Sequence, residues 1–278
     1  MSPADFAASA LNVGPDAIVG IERIKHGLTN ESWLARTRDD AVVVRISIAA
    51  EDALQIDRRS EATILAAVSA AGIGPPVLLC DPSRHLLVTR YLGETWTQDD
   101  AARDANIRRL AQVLYRLHRI GVPDGVRRVD LVSTVEGYLR TLDRHGFRGN
   151  LTEQSLREGA RQAALRLSES SQPCLCHNDV HYLNIVVGNI AAGSGGSGGD
   201  LRLIDWEYAG IGERSFDLAS ACVYHGYDQH QRERLLSAYC CRPGEASQQR
   251  LELACWLFEY IRDLWMAVRE IVDDGKQG

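Results

Sequence analysis

Cys176-His177-Asn178-Asp179-Val180-His181-Tyr182-Leu183-Asn184-Ile185-Val186-Val187 is followed, after a Gly/Ser-rich interval, by Leu203-Ile204-Asp205-Trp206-Glu207-Tyr208. The runs Ile185-Val186-Val187 and Leu201-Arg202-Leu203-Ile204 are short and largely apolar, so they read as two strands. Asp179 and Asn184 then flank the loop that enters the first strand, and Asp205 ends the second. Between them Gly193-Ser194-Gly195-Gly196-Ser197-Gly198-Gly199 reads as a flexible connection. Gly193, Gly195 and Gly198 match G-x-G-x-x-G, and Gly195, Ser197 and Gly199 match G-x-S-x-G. A dinucleotide fingerprint opens a helix and a nucleophile elbow turns from strand into helix, whereas this segment runs into another strand, so an esterase built on Ser197 is discounted.

Working outward, the character of the chain changes near residues 92–95. Before that point, residues 17–24, 31–35, 41–46, 77–80 and 86–91 carry strand patterns. One helix is expected over residues 61–68, and Gly72 with Gly74-Pro75-Pro76 marks the stop beyond it. After it, residues 106–119, 134–145, 153–167 and 251–272 read as helices, the first and last with apolar side chains at helical spacing. The expected architecture is α+β with two lobes: a small β-rich lobe over residues 1–92 and a larger, mainly helical lobe over residues 93–278. No internal repeat supports a solenoid.

The 37 acidic residues outnumber the 31 basic ones, and a net charge of −6 argues against a general nucleic-acid binder. It mildly favours a cationic small-molecule partner. No apolar run reaches the eighteen or so residues of a membrane span, and Met1-Ser2-Pro3-Ala4-Asp5 lacks the basic start of a secretory signal. A cytoplasmic location without membrane association is the expectation. The seven cysteines show no repeated C-x-x-C pair and read as buried free thiols.

Phosphoryl transfer requires the groups that the opening stretches carry. One carboxylate orients the attacking hydroxyl and accepts its proton, while an amide oxygen and a second carboxylate hold magnesium against the triphosphate. Magnesium prefers hard oxygen ligands and keeps several waters, so two protein ligands suffice. The H-x-D-x-x-x-x-N loop at residues 177–184 and the run Ile204-Asp205-Trp206-Glu207-Tyr208 resemble the aminoglycoside phosphotransferase and choline kinase superfamily, over most of the chain. The resemblance is strongest to bacterial choline, ethanolamine and thiamine kinase-like proteins, and it implies a protein-kinase-like fold with ATP and Mg2+ as cofactors. It further implies that Asp179 is the catalytic base, that Asn184 and Asp205 are the metal ligands, and that His177 braces the loop.

The same resemblance extends into the N-terminal part. His26-Gly27-Leu28-Thr29-Asn30 is similar to the G-L-T-N loop of choline and ethanolamine kinases, which puts Gly27, Leu28, Thr29 and Asn30 beside the nucleotide phosphates. Arg45 stands where protein kinases carry lysine, with Glu61 sixteen residues on as its expected partner. A guanidinium there resembles the choline and ethanolamine kinases, and its planar fork suits phosphate and carboxylate together. Val88-Thr89-Arg90-Tyr91-Leu92-Gly93 looks like the strand and hinge that receive adenine, through Arg90 and Leu92.

For the acceptor, the resemblance singles out Glu207, Tyr208, Asp217 and Trp265 as contacts for a small cationic alcohol such as choline, ethanolamine or a thiamine-like compound. Trp265 resembles one wall of the aromatic pocket of choline kinases. Arg262, where that pocket has a second tryptophan, and Tyr224, where eukaryotic choline kinases tend to have glutamate, depart from the pattern. An aminoglycoside phosphotransferase is the alternative within the enzyme class, and a catalytically inactive nucleotide-binding protein is the alternative outside it.

Overall fold

The structure is a computed structural model that describes residues 1–25, 29–47, 51–169, 172–188, 199–239 and 247–274. Its first element is helix α1 (Pro3–Leu11), which the hydrophobic pattern did not predict. The signal was in the capping chemistry: Ser2 and Asp5 form a reciprocal capping box, and Pro3 supplies a preset first helical turn. The strand expected from residue 17 begins only at Gly20, because Pro15–Ala17 close into a 3-10 turn. Strands β1 (Gly20–Ile24), β2 (Asn30–Arg36) and β3 (Ala41–Ser47) follow, then helices α2 (Glu51–Leu54) and α3 (Arg58–Ala70), then β4 (Val77–Asp81) and β5 (Leu86–Arg90). The five strands form one antiparallel sheet in the order β1-β2-β3-β5-β4.

Alternation along β3 determines what each face of this sheet does. Val42 and Val44 turn to one face and pack with Phe6, Ala7, Ala35, Leu86 and Val88 beneath α1. Arg45, one residue out of phase, turns to the other and meets Glu61 of α3. A strand buried on both sides thus carries an arginine into the interior.

The remainder is mostly helical: α4 (Gln98–Ala102), α5 (Asp104–Leu117), α6 (Leu131–Arg144), α7 (Gln154–Glu169), and, beyond the strands below, α8 (Arg214–His225), α9 (Gln229–Tyr239) and α10 (Gln248–Asp274). The leucines at 110, 114 and 117 of α5 are fully buried, as their spacing predicts. Helix α10 packs on α6, α7 and α8, and α5 packs on α9. Among the described residues, no helix is long and apolar enough to cross a membrane.

Two short two-stranded ladders complete the fold. Strand β6 (Cys174–Cys176) pairs with β9 (Gly210–Gly212), and β7 (Ile185–Gly188) pairs with β8 (Asp200–Leu203), all antiparallel; β7 and β8 form a hairpin that the β6–β9 pair encloses in sequence. Their nesting brings the loop 177–184 beside the loop 204–209, and the Ile204 N–H donates to the Asn184 carbonyl at 2.9 Å. Trp206 is fully buried and packs in one continuous core with Ile64, Val68 and Leu87 from the N-terminal part. The Leu203 N–H donates to the Ile73 carbonyl, so the ladders are also tied to the end of α3.

Gly210 is one of the tight points of this assembly. A β-carbon there would lie 2.7 Å from Val129 Cγ2 and 3.0 Å from the Arg127 carbonyl oxygen. Gly210→Ala is expected to cost about 1–3 kcal/mol by overpacking, read as a lower urea midpoint at unchanged slope. An unchanged midpoint would mean that the backbone relaxes freely at that strand.

Candidate active site

Strand β6 delivers His177 and Asn178 to the loop, and Asp217 of α8 holds them from below. Its carboxylate accepts the His177 N–H at 2.9 Å and the Asn178 N–H at 2.6 Å. It also pairs with His118 Nε2 at 2.9 Å, and it is fully buried. Asn178 itself adopts the left-handed region (φ 66°), a conformation its short polar side chain tolerates, and its Nδ2 donates to the Tyr208 carbonyl.

His177 lies between the two loops. Its Nε2 sits 2.9 Å from the Ile204 carbonyl oxygen and its Nδ1 is 3.3 Å from the Asp179 N–H. The first contact needs a ring donor and the second a ring acceptor, which defines a neutral imidazole protonated on Nε2. Burial, pushing its pKa down, favours the same form.

Asp179 is gripped at its carboxylate. Asn184 Nδ2 donates to Asp179 Oδ2 at 2.8 Å and to its backbone carbonyl at 3.0 Å. The Tyr224 hydroxyl lies close enough to this carboxylate to favour its charged form, and both residues line the same cavity. Desolvation in the cleft pushes the Asp179 carboxyl above its usual range, and the neighbouring Tyr224 hydroxyl and Asn184 amide oppose the shift. Because the amide nitrogen of Asn184 faces Asp179, its oxygen is left for another partner.

Asp205 follows β8 in the left-handed region (φ 63°), and Arg45 NH1 donates to its Oδ1 at 3.1 Å. Desolvation, and then the charge of Glu207, raise its pKa, with Arg45 opposing. Arg45 NH2 donates to Glu61 Oε1 at 2.6 Å, and both residues are buried, at 9% and 3% exposure. Burial pushes the Glu61 carboxyl up, but Arg45 and Arg58 overcome that and hold it below its usual range.

Arg58 escaped sequence reasoning and is the centre of this network. Its NH1 donates to Glu61 Oε2 at 2.9 Å and Glu207 Oε2 at 3.0 Å, its Nε to Glu51, and its NH2 to Asn30 Oδ1. The one signal available was its position three residues before Glu61, a spacing at which helical side chains meet. Glu207, 3% exposed, also accepts from Thr29 Oγ1 at 2.5 Å and Asn30 Nδ2 at 2.7 Å. The end of the β1–β2 connection is thereby tied to the segment after Asp205.

Beside this network lies a cavity of about 480 Å³, which Asn30, Arg45, Arg58 and Glu61 do not themselves line. Asp179, Asn184 and Asp205 line it together, with Tyr208, Tyr224 and Trp265 on its wall. Trp265 Nε1 donates to the Tyr208 hydroxyl at 2.7 Å, and the two rings meet edge to face. Of the other expected site residues, Thr29 and Glu207 line the cavity, although Glu207 is fully engaged by Thr29, Asn30 and Arg58. Asp217 lies beneath the loop rather than on the wall. Arg90 pairs with Asp40, and neither Arg90 nor Leu92 lines the cavity. Gly27 and Leu28 lie outside the described residues.

Whether the residues present suit a divalent cation can be tested on their charge. Asp205, Glu61 and Glu207 face only Arg45 and Arg58 within their network, and Asp179 adds a further carboxylate nearby. The surplus is negative, and the two groups turned to the cavity, Asp205 and the Asn184 amide oxygen, are hard donors of the kind magnesium takes. The Nε–H of Arg45 is buried and meets no acceptor among the described residues, which suits a phosphate oxygen.

Comparison with known proteins agrees with this geometry. Mouse (Mus musculus) ethanolamine kinase 1 is 24% identical over 216 residues, covering 73% of this chain and 57% of that protein. Thiamine kinase of Salmonella paratyphi B is 40% identical over 81 residues, covering 29% of this chain and 25% of that one. The chain thus aligns with little more than half of the first relative and a quarter of the second. The choline kinase LicA of Streptococcus pneumoniae superposes with a TM-score of 0.78 at 19% identity, covering 96% of this chain and 89% of that one, and LicA is also known in complex with AMP. The protein-kinase-like fold is therefore shared. Since the sequence pattern of one family matches residues 20–252 continuously, the chain belongs to the phosphotransferase enzyme family.

Proposed function

We propose that the protein transfers the γ-phosphoryl group of ATP to a hydroxyl of a small, cationic alcohol of the choline, ethanolamine or thiamine type. The observation that carries this is the convergence of Asp179, Asn184 and Asp205 on one cavity whose other wall is aromatic. Asp179 orients the acceptor hydroxyl and takes its proton as the new oxygen–phosphorus bond forms and the β,γ-bridging bond breaks, releasing ADP. Tyr224 and Asn184 keep that carboxylate aimed, and His177 keeps the loop in register with the loop carrying Asp205. Asn184 and Asp205 would hold magnesium, which when bound neutralises phosphate charge. Arg45 is placed to meet phosphate through its free Nε–H, held there by Glu61. The division into a nucleotide lobe over residues 1–92 and an acceptor lobe over residues 93–278 belongs to the same reading.

The reading of the acceptor as cationic rests on aromatic faces rather than on carboxylates. Glu207 and Asp217 are both engaged inside the protein, and the aromatic side chains of Tyr208, Tyr224 and Trp265 line the cavity where a cation would lie. A desolvated cation–aromatic contact is worth about 2 kcal/mol, more than tenfold in affinity. An acceptor panel of choline, ethanolamine, thiamine, an aminoglycoside and a neutral sugar, with ATP and magnesium, tests both levels. Trp265→Ala is expected to raise the KM of the best cationic acceptor more than tenfold. Preference for the neutral sugar, or indifference to Trp265→Ala, would remove the cationic reading and leave phosphoryl transfer standing. No turnover with any acceptor would count against the transfer itself.

The role of Arg45 has its own test. Arg45→Ala is expected to raise the KM for ATP, and Arg45→Lys to recover only part of it, because a point charge does not reproduce a planar fork. If the alanine variant keeps the wild-type ATP dependence, Arg45 serves the ion-pair network alone.

A further inference from the structure

Behind the loop 177–184, on the side away from the cavity, His118, Cys174 and Cys176 lie with one donor atom from each within 4.8 Å of the others. All three are buried. Cys174 and Cys176 are alternate residues of β6, so their side chains leave the strand on the same face while Leu175 leaves on the other. Their sulfurs stand 3.7 Å apart. Two thiolates bound to one zinc ion at about 2.3 Å with a tetrahedral angle stand about 3.8 Å apart, so the pair is already spaced as a chelate. Joining them in a disulfide would instead require the sulfurs to close to about 2.05 Å and the β-carbons to about 3.8 Å, which an extended i, i+2 pair resists.

His118, the residue that caps α5, is arranged as metal-binding histidines are. Its Nε2 pairs with the Asp217 carboxylate at 2.9 Å, and its Nδ1 meets the Tyr239 hydroxyl at 2.7 Å. A carboxylate on one ring nitrogen fixes the tautomer that offers the other nitrogen to a metal. We propose that His118, Cys174 and Cys176 form a second metal site, for zinc or a similarly thiophilic divalent ion, in which the ion displaces the Tyr239 hydroxyl from His118 Nδ1. That hydroxyl, now 2.7 Å from the nitrogen, is the candidate for the fourth donor. Binding releases the two thiol protons to solvent and involves no oxidation. Sulfur and imidazole ligands select this class of ion over magnesium.

The position gives the site a structural consequence. Cys176 directly precedes His177, and the Asp217 oxygen that pairs with His118 also accepts the His177 N–H. An ion here would join β6, α5 and α8 at the root of the loop that carries Asp179.

Cobalt is the probe, because cobalt bound to thiolates shows sulfur-to-metal charge-transfer absorption and cobalt bound only to oxygen donors such as Asp205 and Asn184 does not. The full chain is refolded with cobalt under reducing conditions, freed of loose metal on a desalting column, and scanned. One cobalt per chain with the charge-transfer band is expected, lost in Cys174→Ser and in Cys176→Ser and retained in Cys222→Ser. Zinc is expected to displace the cobalt and to raise the melting temperature of the wild type but not of Cys176→Ser. Absence of the band in the wild type overturns the proposal without requiring any variant to fold. So does a band that survives Cys174→Ser and Cys176→Ser combined. None of these readouts involves phosphoryl transfer.

Discussion

Asp179→Ala is expected to lower turnover by on the order of a hundredfold or more, while ATP still binds with near wild-type affinity. The carboxylate acts on the acceptor hydroxyl, and its donor Asn184 and neighbour Tyr224 are held by their own elements. Asp205→Ala is expected to behave differently: the magnesium-dependent part of nucleotide binding is lost, because Asp205 is the only carboxylate proposed to hold the metal. Steady-state rates on the acceptor found in the panel, set beside nucleotide titrations with and without magnesium, separate the two. Near-normal turnover of Asp179→Ala on a verified acceptor would falsify its assignment as the base.

The second large effect is on stability. Arg58→Met is expected to destabilise the protein by about 3–5 kcal/mol, because it leaves buried carboxylates without their counter-charge. Glu207 would keep only the neutral donors Thr29 and Asn30, and Glu61 would keep Arg45 alone. The side chains of Arg58, Glu61 and Glu207 are only 6%, 3% and 3% exposed, so water cannot take over the role of the guanidinium. The paired control is Arg157→Ala. Arg157 contacts Asp143 through two hydrogen bonds of 2.9 and 2.6 Å, but that pair lies at the surface, and its loss is expected to cost less than about 1 kcal/mol. Urea unfolding of both variants measures the contrast. A loss below about 1 kcal/mol for Arg58→Met would mean that the cluster hydrates or repacks, and that Arg58 is not its keystone.

Much of this molecule is legible from local pattern, because local pattern encodes backbone geometry and which face of an element is buried. The β-branched run of β3 and the leucine spacing of α5 indicated a sheet followed by helices. The spacing of Asp179 and Asn184, with Asp205 closing the next strand, placed those residues on adjoining loops, since a hairpin constrains where its ends lie. The pairing of Arg45 with Glu61 was expected from the resemblance and is present as an ion pair of 2.6 Å. Local pattern does not say which charge a buried side chain will meet when its partner comes from elsewhere in the chain. Arg58 and Glu207 are 149 positions apart, and Asp217 meets the backbone at His177 from 40 positions away. Glu207 and Asp217 therefore read in sequence as free carboxylates near a metal ligand, whereas packing of the ladders against α3 and α8 engaged both internally. Tyr224 lies on Asp179 for the same reason, because the course of α8 beneath the loop is set by its buried face and its side chains take whatever partners that course supplies. Sequence by itself determined the N-terminal strands, the longer helices α5, α6, α7 and α10, the order of the loops and the residue types able to carry the chemistry, while α1, α8 and α9 emerged only in the structure. Tertiary structure decided which of those charges remain free to act, because a buried charge must be paired, and its partner is chosen by packing across the whole chain.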